Sequence, residues 1–72
     1  MISELLTKYK HLIDPNDKMQ KNNLKFVEGY IGYQKRKNRD GWEQDCIEFL
    51  QDAIIVQEKL LLDIRLTKAK FH

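Results

Sequence analysis

The sequence predicts an all-α protein: a short N-terminal helix, then a long antiparallel helical hairpin, assembling into a dimeric helical bundle. Three observations predict it. The 72 residues hold one proline and three glycines, and no run alternates β-branched with polar residues, so nothing feeds a sheet. Each long segment instead spaces its apolar residues three and four apart, the rhythm of a helix with one buried face. The last such segment is long, unbroken, and apolar around more of its girth than one short chain can cover.

The first helix is expected over about residues 3–13, with Ser3 as its N-cap and Leu5, Leu6, Tyr9, Leu12 and Ile13 on its apolar face. Pro15 disfavours helix at Asp14 but suits a first helical position behind an Asp cap, so the second helix is expected over about 15–37. The polar run Gln20 to Asn23 has poor helix propensity and allows a start as late as Asn23. Its apolar positions are Met19, Leu24, Phe26, Val27, Tyr30, Ile31 and Tyr33. Gly29 and Gly32 lie inside it, each costing about 1 kcal/mol relative to Ala. Three readings compensate for them: close helix packing in the chain or its oligomer, a tolerated kink, or a groove for a partner.

The third helix is expected over about 41–68, a rod of about 42 Å. Asp40 and Glu43 form an Asp-x-x-Glu variant of the capping box, and Asp45 adds a carboxylate where the helix dipole favours one. Placing Cys46 at heptad position a puts Ala53 and Leu60 there too, with Trp42, Phe49 and Val56 at d; Leu50, Ile64, Ile47, Ile54 and Leu61 flank the seam. Together they span an arc of about 160°, too wide for one partner helix. Ile55, Leu62 and Leu66 add apolar atoms on the expected solvent side. The link from Asn38 to Gly41 is short enough to force an antiparallel hairpin. A homodimer, or a protein partner, covers what remains, and the candidate interface residues are Ile55, Leu62, Leu66, Gly29 and Gly32.

Charge sharpens the picture. The net charge is +2, yet residues 1–39 hold nine Lys/Arg and four Asp/Glu, which is +5, while residues 40–72 hold four and seven, which is −3. The run Lys35-Arg36-Lys37-Asn38-Arg39 ends one helix just before carboxylates open the next, the order that the two helix dipoles favour. Asn38 is also suited to a left-handed C-terminal cap. Lys35, Arg36, Lys37 and Arg39, with Tyr33, are nonetheless candidate nucleic-acid contacts, since cations among aromatics neutralise phosphates and stack on bases. An acidic protein is a third reading of the same corner.

Little in the sequence points to catalysis. Asp45, Glu48 and Asp52 share a face with Glu43 nearby, but a solvated acidic face explains them, and no Glu-x-x-His string accompanies them. His11 and His72 are isolated, and Cys46 reads as a small buried apolar side chain. No phosphate-binding glycine loop, nucleophile elbow or zinc-protease motif occurs. No catalytic residue, cofactor, metal or small-molecule substrate is therefore expected. Acids and glutamines interrupt every apolar stretch, so neither a membrane span nor a signal peptide is expected, and one cysteine fits a reducing cytoplasm. The expectation is a single-domain regulatory or adaptor protein, of a size met among phage and mobile-element proteins; the alternative is a nucleic-acid-binding protein using the corner at 35–39.

Overall fold

The computed structural model describes residues 1–70. Its regular structure is helical throughout: α1 spans Ile2–Leu12, α2 Lys18–Lys37 and α3 Trp42–Lys70.

Backbone groups, rather than Ser3, open α1. The Leu5 N–H donates to the Met1 carbonyl at 3.1 Å, no side chain caps this end, and Ser3 sits inside the first turn, its carbonyl accepting the Thr7 hydroxyl at 2.8 Å. At the other end Ile13 turns extended and becomes buried. Asp14-Pro15-Asn16-Asp17 then forms a turn. The Asp14 carboxylate accepts the Asn16 N–H at 2.9 Å and its carbonyl the Asp17 N–H at 3.1 Å, a geometry that suits proline in the second place. Pro15 thus belongs to the turn and not to the helix. Asp17 is the N-cap of α2, its Oδ1 accepting from Met19 and Gln20 at 3.0 and 3.2 Å.

The polar start of α2 is a junction rather than a frayed end. Gln20 and Gln57 are both buried. Gln57 Nε2 donates to Gln20 Oε1 at 2.9 Å and to the Leu12 carbonyl at 3.2 Å, while Gln20 Oε1 also accepts the Asp14 N–H at 2.8 Å. Two amides therefore join the end of α1, the turn, the start of α2 and the middle of α3. Each group is buried with a partner, the condition under which burial of a polar group is tolerated.

Asn38 closes α2 in the left-handed conformation, φ 49 and ψ 35, donating its N–H to the Gln34 carbonyl. Gly41 follows at φ +84, a value glycine reaches without steric cost, and its carbonyl accepts the Asp45 N–H at 3.0 Å. Gly41 thereby occupies the N-cap position of α3. Asp40 lies one residue too early to cap, so the expected capping box does not form.

Both α1 and α2 pack on α3. The core is Tyr9, Ile13, Val27, Leu50 and Ile54, with Cys46 also fully buried. The buried line on α3 is therefore Cys46, Leu50, Ile54 and Gln57, turned by about 75° from the expected a/d seam at 100° per residue. The cause is that α3 serves two neighbours and centres its core between them. Val56 and Leu60, expected in the seam, are exposed as a result. Tyr30 stacks on Phe49 at 4.2 Å while Gln20 meets Gln57, so α2 and α3 contact each other in opposite chain order.

Beyond Gln57 no side chain through Ala69 is buried. This arm of α3 gives the molecule its elongated shape, with extents of 51 × 19 × 14 Å and a radius of gyration of 14.1 Å, against about 11 Å for a compact chain of this length. The accessible surface is 5769 Å²; a compact monomer of this mass exposes about 4,700 Å².

Candidate interaction surfaces

Two apolar surfaces leave the core unaccompanied. The first is the ridge expected from sequence: Ile55 is 63% exposed, and Leu62 and Leu66 are more than half exposed. At 100° per residue these three lie opposite the buried line on α3. A lone helix segment with apolar residues on this face, and with Leu60, Leu61 and Ile64 elsewhere around it, matches a helix that is normally enclosed.

The second surface spans α2 and α3 together. On α2, Met19, Asn23, Phe26, Tyr30 and Tyr33 recur at steps of four and three, and on α3 so do Phe49, Ala53, Val56 and Leu60. The two stripes meet, because Phe49 lies 6.2 Å from Phe26 and stacks on Tyr30. Phe26 and Val56 are each 67% exposed, and Met19, Leu60 and Tyr33 are exposed as well. A groove of about 370 Å³ opens here, lined by Tyr9 of α1 with Asn23, Phe26, Phe49, Asp52 and Val56. From the sequence alone Phe49, Ala53, Val56 and Leu60 fall in the expected seam of the third helix, Met19 and Phe26 are among the apolar positions of the second, and Tyr33 is a candidate nucleic-acid contact. The signal that identifies them is the match of two stripes of the same period, on helices that are both already buried on another face.

Gly29 and Gly32 do not mark a close approach within the chain. A Cβ built on either meets no atom within 4 Å. Of the three readings, intrachain packing is thereby removed.

At the basic corner Lys35, Arg36, Lys37 and Arg39 are all exposed, but they are not equivalent. Arg39 pairs with the Asp45 carboxylate, and Lys37 Nζ sits over the Tyr33 ring at 5.3 Å. The first contact neutralises a cation and the second occupies one face of the aromatic ring. Lys35 and Arg36 form no ion pair among the described residues. Beneath them Gln34 is buried, with Oε1 lacking a hydrogen-bond partner.

Cys46 has no exposed surface. Burial, with a smaller contribution from the adjacent Asp45 charge, pushes its thiol above the ordinary range, which disfavours the nucleophilic thiolate. Among the described residues no three His, Cys, Asp or Glu side chains converge as metal ligands; Glu43, Glu48 and Asp52 are exposed along α3, His11 is exposed on α1, and His72 lies outside the described residues. No helix among them is long and apolar enough to cross a membrane.

Compared with known protein families, with curated proteins and with solved structures, the chain matches none.

Proposed function

We propose that the chain is a small, non-enzymatic regulatory or adaptor protein of the cytoplasm that acts as a helical dimer and holds a partner protein on its α3 ridge. One observation carries the reading: Ile55, Leu62 and Leu66 stand exposed on the side of α3 turned away from its own core. That spacing suits a partner helix laid along α3, with the apolar line as anchor and Glu58, Lys59 and Arg65 as rim. The packing of α1 and α2 on α3 supports this reading by holding the first half of that helix in place. Pull-downs from the native host with wild type, Leu62→Lys and a Lys35→Glu/Arg36→Glu double variant test it. The partner is expected with wild type and the double variant and is lost with Leu62→Lys; retention by Leu62→Lys counts against the ridge.

A second reading rests on Lys35 and Arg36, which have no carboxylate partner among the described residues: the corner binds nucleic acid. It is weaker, because Arg39 and Tyr33 are already engaged. Binding of this kind falls with salt at a slope of about −0.9 per phosphate contacted. Absence of a gel shift at low salt removes it.

A further inference from the structure

We propose that the face shared by α2 and α3 is where a second copy of this chain docks, each copy laying its α2 over the partner's α3 to complete a four-helix bundle. The inference rests on the dimer of the functional reading and assigns it a face other than the ridge.

Pattern comes first. Both stripes, Met19 to Tyr33 on α2 and Phe49 to Leu60 on α3, repeat at steps of three and four, which is the periodicity of interdigitating helices in bundles. A helix needs one such stripe for its own fold. Here α2 already buries Gln20, Val27 and Gln34, and α3 buries Cys46, Leu50 and Ile54, so the second stripe is surplus to the monomer. Two such two-helix layers facing each other form the simplest closed arrangement that covers it, and a self-complementary face closes with two-fold symmetry.

A stable interface takes about 800 Å² from each partner, and this face offers Met19, Phe26, Tyr33, Val56 and Leu60 as exposed apolar side chains.

Charge then selects both the occupant and its orientation. From Lys18 to Lys37, α2 carries six Lys/Arg and one Glu, which is +5; residues 42–58 of α3 carry five Asp/Glu and no cation, which is −5. With the two-fold axis along the helices, each α2 lies over the partner's acidic half of α3, and this attraction is made twice. With the axis across them, α2 lies over α2 and α3 over α3, and both contacts repel. Helices in contact are about 8–10 Å apart, close to the screening length of about 8 Å at physiological salt, so the difference persists in solution and weakens as salt rises.

The test uses the full chain in light scattering over a concentration range, with circular dichroism as a check on folding. Wild type is expected to reach twice the chain mass at tens of micromolar. Phe26→Asp is expected to keep its helicity and raise the dissociation constant at least tenfold, whereas Leu62→Lys leaves the dimer intact; retention of the dimer therefore separates this proposal from failure of the ridge reading. Orientation is read on a Cys46→Ala background by mixing chains carrying Asn23→Cys with chains carrying Asp52→Cys and adding a short bis-maleimide. Links between unlike chains are expected to dominate. This arm keeps every apolar side chain of the face and stands even if Phe26→Asp fails to fold. A monomer at every concentration, a dimer broken by Leu62→Lys but not by Phe26→Asp, or links mainly between like chains overturns the proposal.

Discussion

Gln57 is the side chain on which three segments converge, since one amide group serves both the Leu12 carbonyl and Gln20. Replacing it with Ala leaves the part-buried Leu12 carbonyl without its donor and Gln20 Oε1 with the Asp14 N–H alone, and Gln57→Ala is expected to cost about 1–3 kcal/mol, measured by urea unfolding; a loss under about 0.5 kcal/mol contradicts the junction. Nothing in the sequence marks Gln20 or Gln57, because an amide looks like a surface residue until its partner is placed. Asn38 is the opposite case. Its fitness for the left-handed region and its place after more than five turns of helix are both readable from the chain, and it adopts that conformation. Cys46 and Tyr9 make a prediction about pH. Burial raises both above their ordinary values, so the unfolded chain releases these protons first. Their stabilisation is complete below the unfolded values, about 8.5 for Cys and 10 for Tyr, and is lost as pH climbs through the raised folded values. The melting temperature of wild type is therefore expected to fall between pH 8 and 11. Cys46→Ala should start lower but decline less steeply over the first part of that range; parallel curves count against a buried thiol.

At the scale of elements, three helices follow from period and breakers, while the caps read from Ser3, Pro15 and Asp40 do not hold. What does not follow is which stripe each helix gives to the core. α3 carries apolar residues around most of its circumference, so a heptad drawn through Cys46, Phe49 and Val56 is as regular as the line through Cys46, Leu50 and Ile54 that is buried. The choice depends on α1 and α2 sharing α3, which is a tertiary fact. The same limit explains why Phe26 and Val56 pass for core residues in the sequence. The glycines of α2 offer a direct check on the helix itself. Gly29 has open space around a Cβ, so Gly29→Ala is expected to stabilise by about 0.5–1 kcal/mol, a rise of several degrees in melting temperature for a chain of this size. A fall in melting temperature would mean that another surface packs on that face in solution.

For the whole molecule, the governing fact is an excess of apolar surface over what one chain encloses. A 72-residue domain buries only about 60% of its unfolded surface and is marginal alone, and this one extends part of its longest helix beyond its neighbours, where isolated helical segments of such length are themselves marginal in water. Ridge and groove lie on different sides of α3, so the proposed dimer would leave the ridge free for the proposed partner.

Sedimentation equilibrium of the untagged chain, from about one micromolar to one millimolar, addresses this excess most directly. The expected result is a reversible rise from the single-chain mass of 8.7 kDa to twice that value, with dissociation favoured by salt. A mass that stays at 8.7 kDa over the whole range, in a folded helical sample, would contradict it.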